Sequence, residues 1–559
     1  MTGPEPTATD ENPDWDDDEA LRVAIALSLQ DQRQGSPPVT QAHEARSVEL
    51  ADRPVSPSPV ASLNMHSLNR RKMEEERLAR LAKKRPRCPS DDDDVVEVPP
   101  PTKRPSHTPA QGPAPQLESA VPFPDGVVKR TWVRGYPRSG NDIKIEEIFQ
   151  RDKLVLAMLS SFQWDEEWIL SKIDITRTKL LLAAFATDEA QKDSMRANVP
   201  PNVKFCFPQM HGPGSMHSKL QLLKFPQHLR VVVPTGNLVP YDWGETGVME
   251  NMVFLIDLPR KAEESTSQPT LFQSELERFL RAMGVDEKMV CSLASYDFSR
   301  TASLGFVHSS PGGHTGESLK RTGYCGLGTT IASLGLTTTE PVEVDVACAS
   351  LGSIKCDLVE AMYNACQGDN GMKEYNKRAN RKAGDKQPGP SKLLQDRFRI
   401  YFPTKQTVSD SRGGNGAAGT ICIQARWWRA PDFPRALVRD CVNTRKGLLM
   451  HSKLIFVRKA QGSYQGPQPE ISWAGWAYVG SANLSESAWG RMVKDRQSGN
   501  PKMSCRNWEC GVVIPVRQTS SGSGDATDLH VFDDSVPVPM QVPGRKYGPN
   551  EEPWFYAGA

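Results

Sequence analysis

Two short segments of the sequence carry the same chemistry. Met216-His217-Ser218-Lys219 and Met450-His451-Ser452-Lys453 both read M-H-S-K, and each runs into an apolar stretch, LQLL or LIFV after its first Leu. An Asn follows in each case, Asn237 within TGNL and Asn483 within GSANL, and then a Glu, Glu250 and Glu509. His and Asn are 20 residues apart in the first copy and 32 in the second, where 461-QGSYQGPQPE reads as a loop insertion. A single H-S-K is common, and a lone His on an apolar strand is usually a satisfied core residue. Two copies with matching Lys, Asn and Glu form a repeat. They imply two similar halves facing across a pseudo-twofold axis, with one composite site at the seam.

The residue types suit work on a phosphate. In H-x-K on a strand, the two side chains fall on one face because side chains alternate with period two. His217 and Lys219 are expected to point together into a cleft, as are His451 and Lys453. Lys supplies positive charge, and the amides of Asn237 and Asn483 supply neutral donors for nonbridging oxygens. Two histidines on opposite sides of one phosphate suit in-line displacement. One attacks phosphorus, and the other protonates the leaving oxygen and then activates water. Imidazole can do both because its pKa lies near the working pH. Glu250 and Glu509 are expected to accept from the imidazole Nδ1 atoms and fix their tautomers, as the buried Asp does in serine protease triads. No Asp/Glu/His cluster with divalent-cation spacing accompanies the motifs, so no metal and no cofactor is expected, and activity should survive a chelator.

These residues resemble the phospholipase D superfamily, whose mark is H-x-K-x4-D in duplicate. Here the Asp position holds Lys224 in one copy and Arg458 in the other. That loss, with G-N-L-x-x-x-D-W at 236–243 and S-A-N-L-S-x-x-A-W-G at 481–490, resembles the tyrosyl-DNA phosphodiesterase family. Segments 350-SLGSI, 309-SSPGGHTG, 402-FPT and 546-KYGPNEEPWF match it too, so the resemblance covers about residues 121–559. It implies that His217 is the nucleophile, forming a phosphohistidine with a DNA 3′ phosphate, and that His451 is the general acid and base that releases it. Lys219, Lys453, Asn237 and Asn483 match the phosphate-binding set. Ser350 and Ser353 fall where the family contacts the DNA backbone, although a plain turn fits them as well. Ser481 is a further candidate contact. The implied substrates are single- or double-stranded DNA 3′ ends carrying a topoisomerase I-derived peptide, and hydrolysis would leave a 3′-phosphate. One departure is that 211-HGPGSMH lacks the aromatic found before the motif in some relatives, so stacking on the DNA end would use another side chain.

The elements that must position these groups begin near Val121. From there a helical pattern, 145-IEEIFQRDKLVLAML, and the β-branched or apolar runs 179-KLLLAAFA, 230-RVVVPTGNL and 252-MVFLIDL predict an α/β layered fold. The resemblance implies two phospholipase D-like α-β-α sandwich halves, at 121–340 and 341–559. Residues 370–392 and 409–419 read as exposed loops, and Lys377, Arg378, Arg381 and Lys382 are candidates for a DNA groove or for a solvated charged face.

Residues 1–120 read as a disordered regulatory arm, since Pro, Ser, Asp and basic blocks cannot bury enough apolar area to offset chain entropy. Within 16-DDDEALRVAIALSLQD, Leu21, Ala24, Ile25 and Ser28 fall on one helix face behind an acidic block. This resembles a ubiquitin-interacting motif. Residues 91–98, DDDDVVEV, resemble a SUMO-interacting motif that would add a strand to a partner's sheet. Basic clusters at 70–87, 70-RRK and 83-KKRPR, resemble a bipartite nuclear localisation signal, so the nucleus is the expected compartment. Whole-chain numbers decide less: the net charge of +1 balances 68 basic against 67 acidic residues and hides local asymmetry. Eleven cysteines include no C-x-x-C pair, which fits reduced buried thiols. No apolar run approaches the ~18 residues of a membrane span, and the acidic N-terminus does not read as a secretion signal. Two rival functions stay open: another nuclease or lipid phosphodiesterase of the superfamily, or a non-catalytic ubiquitin and SUMO adaptor. A lipid enzyme should carry the motif Asp residues, and an adaptor has no need of two intact H-x-K sets.

Overall fold

The computed structural model describes residues 121–186, 188–212, 214–261, 268–381, 389–460, 473–517 and 529–555. The arm with Leu21, Ala24, Ile25, Ser28, the basic clusters and segment 91–98 lies outside the described residues, as do Lys382 and the insertion at 461–470.

The first half contributes β1 (Val127–Thr131), β2 (Asp142–Ile143), β3 (Leu156–Ser160), β4 (Lys179–Ala183), β5 (Val203–Cys206), β6 (Gln221–Lys224), β7 (His228–Pro234), the two-residue β8 (Met249–Glu250) and β9 (Met252–Pro259). The second contributes β10 (Gly305–Ser309), β11 (Gly312–His314), β12 (Val342–Ala347), β13 (Phe398–Phe402), β14 (Val438–Asp440), β15 (Leu449–Met450), β16 (Leu454–Lys459), β17 (Trp473–Gly480), β18 (Arg491–Lys494), β19 (Pro501–Cys505) and β20 (Glu509–Arg517).

The repeat in the sequence is a repeat in topology. One sheet is ordered β2-β1-β9-β7-β6-β3-β4-β5 and the other β10-β20-β17-β16-β12-β13-β14. Apart from the added β2, they correspond strand for strand. In both, the strand after the H-x-K motif (β6, β16) lies antiparallel between two neighbours, and the far edge is parallel. Because β10 already pairs with β20, the second half begins before Gly305. The expected boundary at 340/341 falls inside that half; β10 is an edge strand that carries no H-x-K, Asn or Glu of the repeat, so the repeat did not reveal it.

Apolar residues sort by strand face. Leu222, Val231, Val233, Phe254 and Ile256 of the first sheet share a core with Phe456, Ala477, Val479 and Val512 of the second. Leu223, Val232, Val253 and Leu255 point outward onto Ile148, Phe149 and Trp168. Val344, Val346, Ile455, Val457 and Val513 pack outward on helices Gly323–Ser333 and Cys356–Cys366. The two sheets thus sandwich a common apolar layer, and each carries helices on its outer face. Helix Glu189–Ala197, capped by Asp188, belongs to a separate compact unit.

Two sequence expectations change. The pattern at 145–159 is helical only over Ile145–Phe149; Gln150 takes φ +43°, ending the helix, and the following apolar run becomes β3. The basic stretch at 370–381 holds a helix, Met372–Ala379.

Candidate active site at the seam

The motif residues lead into their strands rather than lying on them: β6 starts at Gln221 and β16 at Leu454. Each lead-in segment is held by the opposite half. His217 N–H donates to Trp508 O at 3.0 Å, and Trp508 N–H donates to Ser215 O at 2.9 Å. Reciprocally, His451 N–H donates to Glu250 O at 3.0 Å, and β15 pairs with β8 in parallel. Each histidine is therefore placed by backbone bonds that cross the seam.

Each imidazole also takes its carboxylate from across the seam. His217 Nδ1 meets Glu509 Oε2 at 2.9 Å. Glu509 is itself fixed by Ser481 Oγ at 2.5 Å and by Asn507 Nδ2 at 3.1 Å. His451 Nδ1 meets Asp242 at 3.0 and 3.1 Å, not Glu250. Asp242 accepts from Asn237 N–H at 2.6 Å and from Asn251 Nδ2 at 3.1 Å. Glu250 turns its carboxylate to Arg130 and Arg445, at 2.8 and 3.0 Å. The expectation that Glu250 orients an imidazole is corrected: Asn251, bound to Thr235 as Glu509 is to Ser481, fills the matching place, and Glu250, one residue earlier, pairs with two guanidiniums.

Electrostatics follow from burial. Desolvation pushes His217 below its usual range although Glu509 pulls it back. Desolvation takes His451 down to about 4 against the pull of Asp242, with Lys453 adding to the fall. Glu509 and Asp242 stay ionised below the usual carboxylate range; burial opposes this, and the facing imidazoles and lysines outweigh it. With each Nδ1 donating to a carboxylate, each Nε2 keeps its lone pair.

One cavity is lined by both histidines together with Asn237, Asn483, Ser350 and Ser353. Asn483 Oδ1 accepts from Ser350 N–H at 3.1 Å, which leaves its NH2 for a ligand. Asn237 Nδ2 reaches Gln163 Oε1 at 3.4 Å. Lys219 and Lys453 are 1% and 0% exposed and lie behind the lining. Lys219 Nζ donates to His217 O at 2.8 Å, and Lys453 Nζ to His451 O at 2.6 Å and, across the seam, to Thr235 O at 3.2 Å. Burial holds Lys219 down at about 8 and Lys453 well below the usual lysine range, the latter pushed further by Lys219.

Two further placements differ from the sequence reading, those of Ser481 and of the basic residues at 377–381. Ser481 is fully buried and holds Glu509 instead of lining the cavity. Lys377, Arg378 and Arg381 are taken up by Glu360, Glu374 and Asp357. Arg458, in the position of the superfamily's motif Asp, pairs with buried Asp345 at 2.5 Å, which also binds Arg399, so this ion pair joins neighbouring strands β16, β12 and β13. Phe162, on the loop after β3, lines the cavity with its ring 5.4 Å from that of His217. Its aromatic neighbours in sequence, SSFQW, gave no sign of that position. Asp242 was visible as the D of G-N-L-x-x-x-D-W, five residues past Asn237. Among the described residues, no group of three or more His, Cys, Asp or Glu could hold a metal ion, and no helix is long and apolar enough to cross a membrane.

A duplicated α/β scaffold with two H-x-K histidines on one cavity defines a phosphodiesterase of the phospholipase D superfamily. The comparisons narrow this. The family model for tyrosyl-DNA phosphodiesterase matches residues 127–548, and the chain belongs to that family of DNA-repair phosphodiesterases. It is 22% identical over 469 residues to tyrosyl-DNA phosphodiesterase 1 of Arabidopsis thaliana, covering 74% of this chain and 71% of the relative. It is 24% identical to the probable tyrosyl-DNA phosphodiesterase of Caenorhabditis elegans, covering 61% and 68%. The crystal structure of yeast tyrosyl-DNA phosphodiesterase shares the fold, with a TM-score of 0.54 at 18% identity over 77% of this chain and 99% of that one.

Proposed function

We propose that the protein hydrolyses the 3′-phosphotyrosyl bond that joins DNA to a topoisomerase I-derived peptide, through a phosphohistidine on His217. The observation that carries this reading is the pair of cross-seam contacts: two imidazoles on one cavity, each with Nδ1 bound to a carboxylate from the opposite half.

In the first step the Nε2 lone pair of His217 attacks phosphorus. The bond from phosphorus to the tyrosyl oxygen breaks, and that oxygen leaves with the electron pair, taking a proton from His451. A phenol of pKa near 10 is a fair leaving group. Phosphorylated His217 carries positive charge, which Glu509 offsets. An anionic phosphodiester in the cavity raises the proton affinity of His451, counteracting the burial that depresses it. Lys219 and Lys453 lie beneath the phosphate and offset charge gathering on its oxygens; Asn237 and Asn483 donate to them. In the second step water attacks phosphorus, His451 takes its proton, and the N–P bond breaks with the electron pair returning to His217. A 3′-phosphate remains. Ser350 and Ser353 on the cavity wall suit contacts to the DNA backbone.

We further propose that the protein acts in the nucleus and that the 16–31 segment binds ubiquitin and the 91–98 segment SUMO. Ubiquitin pull-down by the full chain, lost on Ala24→Asp, would support the first; unchanged capture would remove it.

The central test is a denaturing gel with a labelled 3′-tyrosyl oligonucleotide. His217→Ala should abolish cleavage and form no adduct. His451→Asn or His451→Arg should trap a covalent adduct. Full activity of either variant defeats the scheme.

A further inference from the structure

Glu250 occupies the place that Trp508 holds in the other half, since each accepts the N–H of a motif histidine on its carbonyl, and it is fully buried, with its carboxylate turned away from the histidine. Oε1 meets Arg130 Nη2 at 2.8 Å, and Oε2 meets Arg445 Nη1 at 3.0 Å. Arg130 belongs to β1 of the same half. Arg445 belongs to the segment between β14 and β15 that delivers His451. The same segment is gripped by the first half at three more points. Arg130 Nη2 donates to Asn443 Oδ1 at 3.0 Å, Arg445 Nη1 donates to Thr131 O at 3.1 Å, and Arg445 Nη2 lies 3.7 Å from Asp142 Oδ2. The backbone of Glu250 completes the grip, since its carbonyl accepts the His451 N–H at 3.0 Å and it pairs with Met450 in the β8–β15 bridge.

Side chain and main chain of one residue therefore fix the segment that carries His451 to the half that carries His217 and Asp242. Asn443 also ties this segment to the C-terminal stretch near Met540. A buried carboxylate between two guanidiniums has little freedom to shift, because moving it would leave unpaired charge out of reach of water.

We propose that Glu250 is the positioning residue for His451, setting through Arg130 and Arg445 where that imidazole stands relative to His217. The proposal rests on the reading of His451 as the group that protonates the leaving oxygen and activates water. His217 is held instead by Trp508 and Glu509, so a disturbance at Glu250 should strike the steps that need His451 and spare the attack itself.

Two oligonucleotide substrates separate these steps: a 3′-phosphotyrosyl ester and a 3′-(4-nitrophenyl) phosphate, whose leaving group needs no proton. Full-length Glu250→Gln should release about one equivalent of nitrophenolate rapidly. Turnover should then run roughly 10- to 100-fold slower than in the unaltered protein, the order expected when a reacting group is misplaced by about 1 Å. The phosphohistidine adduct should be visible on a gel. The tyrosyl ester should show slow first and second steps. Arg445→Met, which leaves the Arg130–Glu250 pair in place, should give the same pattern, and Arg445→Lys should restore part of the turnover. This second variant carries the test if Glu250→Gln folds poorly. Equal slowing of both steps without an adduct, or unaltered turnover in Arg445→Met, while the unaltered protein cleaves both esters, would overturn the positioning role alone. An unaltered protein that cleaves neither ester would overturn both the two-histidine reading and the role built on it.

Discussion

Replacing Asp242 by Asn keeps the shape of the side chain and removes one of its two accepting oxygens. The carboxylate accepts from three donors: His451 Nδ1 at 3.0 and 3.1 Å, Asn237 N–H at 2.6 Å and Asn251 Nδ2 at 3.1 Å. An amide has one accepting oxygen and one NH2 group. If the NH2 takes the Oδ2 position, it faces the Asn237 N–H, donor against donor, at a cost of about 1–3 kcal/mol for a buried unsatisfied group. If it takes the Oδ1 position, it gives up the contact with Asn251 Nδ2, which keeps the Asp242 carbonyl as acceptor, and it donates to His451 Nδ1 and drives the proton to Nε2. A neutral ring protonated at Nε2 can only hydrogen-bond to the leaving phenolate, a fair leaving group without full protonation, and it cannot take a proton from water. The second chemical step should suffer most. In serine proteases the corresponding change lowers kcat about 10⁴-fold; at about 1.4 kcal/mol per decade, a loss of 10²–10⁴ is roughly 3–5 kcal/mol of barrier.

The assay is rapid quench of a labelled 3′-phosphotyrosyl oligonucleotide. Asp242→Asn should accumulate the covalent adduct. Glu509→Gln provides the opposite signature, because it frees the tautomer of the nucleophile: with the proton on Nε2, His217 cannot attack, and no adduct should form. Turnover of Asp242→Asn within a few-fold of the unaltered protein, or an adduct in Glu509→Gln, would refute the assignment of these two carboxylates.

Two other expectations come from the same seam. A Cβ on Gly214 would collide with the Arg506 carbonyl, so Gly214→Ala should push the 214–217 segment off the 506–508 segment it bridges and separate His217 from Glu509. Cleavage should fall by about 10-fold or more in initial rate, given the sensitivity of attack to sub-ångström placement, and unchanged kinetics would show that the backbone approach is not needed. Stability should depend on pH through the buried imidazoles. His451 is held at about 4 when folded against about 6.5 when unfolded, and His217 is lowered in the same direction. Between these values the unfolded chain binds more protons, so the contribution is complete above about pH 6.5 and is lost as pH falls towards 4. Asp242 and Glu509, also lowered, lose their contributions only below the ordinary carboxylate range. Thermal melts from pH 7.5 to 4.5 should therefore show a falling Tm, with a shallower slope in His451→Asn; equal slopes would argue against a neutral buried ring.

What the sequence revealed and what it hid divide along the pseudo-twofold. Symmetric features were legible because each copy vouches for the other: His217 with His451, Lys219 with Lys453, Asn237 with Asn483, and the buried strands that follow. Symmetry also misled. A repeat read from sequence gives Glu250 and Glu509 one role, but the residue that matches Glu509 across the pseudo-twofold is Asn251, and Glu250 matches Trp508. Arg130 and Arg445 lie beside Glu250, whereas Ser481 and Asn507 lie beside Glu509. No one-dimensional spacing predicts that Arg445 returns to β1 across more than three hundred residues. The imidazole left without Glu250 is served by Asp242, whose counterpart in the second copy is Ala488, so nothing in the repeat pointed to it. Breaking the twofold there has a chemical consequence. A strictly symmetric site would give both histidines one environment and one set of proton affinities, yet the reaction needs one imidazole to bond phosphorus and the other to move protons. The unequal carboxylates, a Glu tethered by a hydroxyl and an Asp locked by a backbone N–H, are where the two halves cease to be interchangeable.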